Sequence, residues 1–286
     1  MKRRNTDRPG NLIFLIILSG IFLFSVSSFF SHLLSDFLSG LSGPSSSFFR
    51  AAGRYLCFIP YWIIIPSAMQ IFRSFHVLSR DFMPRDTKRI RRLFIGVIAG
   101  FLLAGVCTLI PLLDRSAVLK LNSSFHPLFL PALFLCILIQ AGAEELLFRE
   151  FLQQCLENCT APRWVPIILP AFLFAAAHIS NAGISFTAIF VLFSSGVLYG
   201  LVFHRSGSFW AAAGMHAAWN FCQSIIFGFP NSGVPAEYSL YTANAVRGKT
   251  ISYDPFFGIE ASLSTLAIIW FSILFFYSLF SKKQSK

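Results

Sequence analysis

The chain has 286 residues, 55% of them hydrophobic and 12% charged, with 35 Phe and a mean hydropathy of +0.67. Those values exclude a water-soluble domain of this length and define an all-α, polytopic transmembrane bundle. The net charge of +11 does not point to nucleic acid, because the basic residues cluster between apolar stretches, as cytoplasmic loops of membrane proteins require.

In chain order, apolar runs of spanning length, about 17–25 residues, are predicted at roughly 12–30, 54–72, 93–113, 127–149, 164–180, 185–204, 208–228 and 260–280. MKRRNTDR precedes the first run and no small-x-small cleavage site follows it cleanly, so it is predicted as an uncleaved first span. The Ser/Gly-rich stretch from Ser31 to Ser47 reads as an exposed loop. Between the second and third runs lie Arg73, Arg80, Arg85, Lys88, Arg89, Arg91 and Arg92, which assign that loop to the cytoplasmic side. An even number of spans then places MKRR, SKKQSK and the turn at His204 to Gly207 on the same side, in a multi-pass protein of the bacterial cytoplasmic membrane. Pro162, Pro166 and Pro170 predict a short, kinked fifth span. Phe229 to Gly258 is predicted to lie outside and to cover part of the bundle. Residues 1–126 are expected to form N-terminal spans with the basic loop, 127–228 a core of four spans, and 229–286 an outer loop with the last span. Cys57, Cys107, Cys136, Cys155, Cys159 and Cys222 form no CxxC pair and are expected to be reduced packing residues.

The sequence AGAEELLFRE, Ala141 to Glu150, breaks the apolar pattern of the fourth span. An ionisable residue at the bilayer centre costs roughly 2.5–3.5 kcal/mol, so such groups face an interior cavity and serve a function. Glu145 and Arg149 stand at i,i+4 and can pair, while Glu144 points elsewhere and is left free. Two further patterns sit on apolar helices: FxxxH at Phe174 to His178, and HxxxN at His216 to Asn220, whose polar groups share one helix face. At about 1.5 Å per residue, Glu144 and His178 lie roughly 20 Å from the cytoplasmic end, and His216 and Asn220 roughly 12–18 Å, so the three helices can meet at one level. A carboxylate and an imidazole converging on water make a general base, and a His with an Asn supplies two donors to an oxyanion, the layout of a hydrolase. Taken singly, each residue has a plainer reading: Phe174 as core, Asn220 or His178 as a bond between helices, Glu145 with Arg149 as a structural pair. His32, His76, His126 and His204 lie at span ends or in loops and carry only that plainer reading.

EExxxR, FxxxH and HxxxN in this order, over about Leu128 to Phe227, resemble the CPBP or Abi group of intramembrane proteases, related to the type II CAAX prenyl endopeptidases. The resemblance implies a helical bundle with a cavity open to the membrane and the cytosol, and endoproteolysis of a membrane protein or lipidated peptide. It also implies that Glu144 with His178 activates water and that His216 with Asn220 holds the oxyanion, supported by Glu145, Arg149 and Phe174. Members are often labelled metalloproteases, and Glu144, His178 and His216 form a possible zinc set. However, HExxH is absent and zinc would leave no free base, so metal-independent hydrolysis with no cofactor is expected. Two other readings stand beside this one: a non-enzymatic scaffold or bacteriocin immunity protein of the same fold, and a transporter, which would need inverted repeats with broken helices.

Overall fold

The computed structural model describes residues 9–42, 47–74, 87–159 and 162–281. The termini MKRR and SKKQSK, and most of the basic loop between the second and third spans, lie outside the described residues. The chain is a helical membrane bundle with one small two-stranded sheet. The helices are α1 (Pro9–Ser42), α2 (Ser47–Leu56), α3 (Ile59–Ser74), α4 (Arg89–Leu113) and α5 (Leu130–Glu145). A π-helical stretch, Leu146–Gln153, continues α5 directly into the short α6 (Gln154–Glu157). Then come α7 (Val165–Ala176), α8 (Phe186–Ser206), α9 (Phe209–Phe221) and α10 (Leu263–Ser281).

Five helical stretches among the described residues are long and apolar enough to cross a membrane: 10–41, 47–71, 89–113, 127–157 and 186–206. α7 and the described part of α10 are shorter apolar helices, and α9 is prolonged by a second π-helical stretch, Cys222–Ile226. Helix therefore occupies most of each expected run. Large apolar side chains such as Phe14, Phe22, Phe94, Leu102 and Phe271 are exposed on the outer helices, where lipid tails replace water as the neighbour.

Two expectations need correction. The stretch from Ser31 is helix, not loop, as far as Ser42, because Leu34, Leu38 and Leu41 recur at helical spacing among the serines; residues 43–46 lie outside the described residues. The fifth span stops at Ala176 rather than near 180, and residues 177–180 form turns that carry His178 just beyond the helix.

α4 and α9 run side by side with their backbones in contact. A Cβ on Gly96 would run into the carbonyl oxygen of Ala211, and one on Gly100 into that of Met215. Small residues at one-turn spacing, Gly96, Gly100 and Ala104, thus let α9 (FWAAAGMHAAWNF) lie close.

The segment after α9 folds over one end of the bundle. β2 (Tyr241–Ala245) pairs antiparallel with β1 (Ala117–Leu121), in the register Ala117 with Ala245 through Leu121 with Tyr241. Phe229, Tyr238, Tyr253 and Phe257 are buried beneath this cap. Buried Glu260 ties it down: one carboxylate oxygen accepts from Trp219 Nε1 at 3.1 Å, the other from the amide and hydroxyl of Ser232 at 2.6 and 2.8 Å. Asp114, at the exposed end of α4, accepts from the Ser116 amide at 2.8 Å and from the Ser252 hydroxyl. Burial alone would raise its carboxyl, but those hydrogen bonds and the Arg247 charge outweigh that and hold it below its ordinary value.

Candidate active site

α5 turns two polar residues toward the bundle interior one turn apart, Gln140 and Glu144, and α9 does the same with His216 and Asn220. The four are linked. Gln140 Nε2 donates to Glu144 Oε1, and Asn220 Nδ2 donates to Gln140 Oε1 at 3.0 Å. His216 Nε2 lies 3.8 Å from Glu144 Oε2. That carboxylate oxygen is buried and has no hydrogen-bond partner.

Glu145 faces the other way and is fully buried. Oε2 accepts from Arg149 Nε at 3.0 Å, while Oε1 accepts from His216 Nδ1 at 2.9 Å. The expected Glu145–Arg149 pair is present, with a third member that the sequence did not reveal. Because a carboxylate only accepts, the bond to Glu145 places a hydrogen on His216 Nδ1 and turns Nε2 toward Glu144. Tyr199 stacks on the His216 ring at 4.9 Å and 18°, and Phe174 meets its other surroundings edge-on at 5.9 Å and 78°. The imidazole is thus fixed by one charge-assisted bond and two aromatic rings.

His178 is positioned differently. Its Nδ1 donates to the Phe174 carbonyl at 2.8 Å, since a carbonyl only accepts; in the neutral tautomer Nε2 then carries the lone pair. The Phe174 ring lies 4.8 Å from the His178 ring and 5.4 Å from that of Phe148, with the Arg149 guanidinium 5.7 Å from its centroid. Phe174, a core residue by type, is therefore the wedge between the two histidines and the buried ion pair.

Glu144, Phe174, His178, His216 and Asn220 all line one cavity of about 600 Å³. Glu145 and Arg149 stand behind its wall. Glu144 and His178 face the same space with no direct hydrogen bond between them; the imidazole nearest Glu144 is His216. Sequence reasoning missed Gln140, Tyr199 and Ser28, which also line the cavity. For Gln140 a signal was present, a lone amide one turn before Glu144 in an otherwise apolar run. Tyr199 and Ser28 carry no such mark.

Among the described residues no three His, Cys, Asp or Glu side chains are gathered as a metal site. The six cysteines are free, and all but Cys159 are buried.

A carboxylate, two imidazoles and a carboxamide thus line one cavity sunk within apolar helices. Residues 126–222, which hold all three motifs, match the family described as Type II CAAX prenyl endopeptidase Rce1-like. The resemblance carried by the motifs is thus shown for about a third of the chain, and the family is one of membrane proteases. The chain is also similar to the uncharacterized protein YyaK of Bacillus subtilis (strain 168), 28% identical over 228 residues, covering 76% of this chain and 75% of that protein. No solved structure matches it.

Proposed function

We propose that the protein is an intramembrane endopeptidase of glutamic type, acting on a membrane-associated or lipidated peptide substrate without a metal. The observation that carries this reading is Glu144 Oε2, a buried and unpartnered carboxylate oxygen at the wall of a cavity shared with His178, His216 and Asn220. A carboxylate oxygen left without a hydrogen bond in such a place is costly and is retained for its chemistry.

In the proposed reaction Glu144 takes a proton from water, while His178 Nε2 accepts the second hydrogen and orients it. The hydroxide attacks the scissile carbonyl. The resulting oxyanion is met by His216, donating from Nε2 as an imidazolium balanced by Glu145, and by the Asn220 amide hydrogen not given to Gln140. Glu144 then passes its proton to the leaving amine as the C–N bond breaks. No step is routed through a metal. Gln140 holds both Glu144 and Asn220, so it sets the spacing between base and oxyanion donor.

We place the protein in a bacterial cytoplasmic membrane with both termini cytoplasmic, a reading supported by the basic residues gathered at one end of the bundle. The test compares membrane proteomes of cells carrying the intact chain or Glu144→Gln. A peptide terminus produced only by the intact chain, with equal amounts of both folded proteins, is the expected result. Unchanged termini would replace the protease reading with a non-enzymatic scaffold.

A further inference from the structure

The mouth of the cavity and the basic cluster that opens α4 lie at opposite ends of the bundle. One end holds the start of α4, with Arg89, Arg91 and Arg92, the α6–α7 connection with Arg163, and the end of α8, where His204 Nδ1 meets Glu157 Oε1 at 2.9 Å. The sequence places Arg80 and Arg85 between α3 and α4. The other end holds the cap: Asn181 donates to the Ser232 carbonyl at 2.8 Å, Arg54 to that of Pro235 at 3.1 Å, and the Phe48 and Phe129 rings stack at 4.2 Å.

The cavity runs from Glu144 toward the cap. Its lining there is open, with His32, Ser180, Val234 and Pro235 exposed. In the opposite direction it is closed by Phe148, Phe174 and Tyr199, each 4% exposed or less. Behind them Arg149, Leu152, Gln153 and Cys155 are buried and fill the bundle as far as α6. Leu152 also sits against Gly20 of α1, which closes that flank. The cap end carries Arg50, Arg54, Arg115, Lys120, Arg247 and Lys249, dispersed over α2, the sheet and the outer segment, against eleven Lys and Arg that the sequence places in its first eight residues and between Arg73 and Arg92.

Orientation in the bilayer follows the Lys and Arg residues of short loops, and acids count for little. We infer that the active-site cavity opens on the extracytoplasmic side, so that the substrate is a peptide segment already translocated or anchored in the outer leaflet. This rests on the protease reading for the word substrate; the side of entry does not depend on it. It departs from the cytosolic entry that the family resemblance implies, and it disfavours a cytosolic lipidated C-terminus as the natural ligand. Glu144 lies fourteen residues along α5 from Leu130, roughly 20 Å below the cap end at about 1.5 Å per residue. An extended peptide entering the mouth needs about six residues to reach it, at about 3.3 Å each. The bond cut therefore lies at least that far from any folded domain of the substrate.

The test uses the full chain in intact cells with a membrane-impermeant thiol reagent, the wild-type protein giving the background of its own cysteines. Val234→Cys at the mouth and Ser195→Cys on the cavity wall are expected to react in intact cells, and Arg163→Cys only after permeabilisation. The reverse pattern, or reaction of all three in intact cells, would overturn the inference. So would Ser195→Cys reacting only after permeabilisation while Val234→Cys reacts from outside, because the cavity would then be entered from the cytosol. If the expected labelling is seen but no Glu144-dependent peptide terminus exists, the protease reading fails and the direction of opening stands.

Discussion

Removing the guanidinium behind the cavity, as in Arg149→Met, is expected to weaken the fold before it weakens the chemistry. Arg149 is fully buried, and its Nε bonds Glu145 at 3.0 Å. Breaking one side of a buried ion pair costs about 3–5 kcal/mol. Two features reduce that here. Glu145 keeps its 2.9 Å bond to His216, and Arg149 Nη1 and Nη2, which have no hydrogen-bond partner, are removed; burying such donors costs roughly 1–3 kcal/mol. The net loss is then about 2 kcal/mol, or about 4–8 °C in Tm for a chain of this size. Glu145→Gln leaves the guanidinium charge with no carboxylate, so it should be the more damaging single change, with the full loss of about 3–5 kcal/mol. The double variant should recover part of that loss. Unfolding in detergent can be followed with a thiol-reactive dye, because Cys107, Cys136, Cys155 and Cys222 are buried. The reasoning is refuted if Arg149→Met leaves Tm unchanged while abolishing cleavage, or if it destabilises more than Glu145→Gln.

Three other perturbations separate the parts of the site. Asn220→Ala should slow cleavage by roughly 10²- to 10³-fold, the usual effect of losing an oxyanion donor, with little change in KM; a loss under threefold would remove Asn220 from that role. A preparation stripped by chelator and checked by metal analysis should keep its activity, and activity lost to chelation and restored by stoichiometric zinc would reverse the mechanism. Lowering the pH should loosen the cap. The Asp114 carboxyl is held below its ordinary 3.8, so its stabilisation is present above that value and is lost as pH falls through the lower folded value. Hydrogen exchange of residues 241–254 should therefore rise in acid, and Asp114→Asn should show fast exchange already at neutral pH.

The helices were legible because apolar runs of spanning length have few other physical outcomes in a chain this hydrophobic. The pairing of Glu145 with Arg149 was legible too, since i,i+4 neighbours on a helix meet whatever surrounds them. Contacts between distant segments were not. The bond from Glu145 to His216 spans 71 positions, and its partner choice depends on how closely α5 and α9 approach, which periodicity does not encode. The sheet joins Ala117–Leu121 to Tyr241–Ala245, two short stretches that each read as loop and become strands only by finding one another. The extension of α1 past Ser31 was hidden for a different reason: Ser and Gly weigh toward turns in water, but a helix already running through the bilayer loses little by continuing.

The π-helical stretch after Glu145 alters how the rest of that helix is to be numbered. Hydrogen bonds reaching five residues back instead of four rotate everything beyond Leu146 relative to an unbroken α-helix. A helical wheel drawn from Leu130 loses its phase there, so positions 154–157 present different faces from those a 100° step assigns. Any residue-by-residue scan down this span will show a shift in periodicity just past Glu145, and deletion of one residue within 146–153 should be better tolerated than deletion within 130–145.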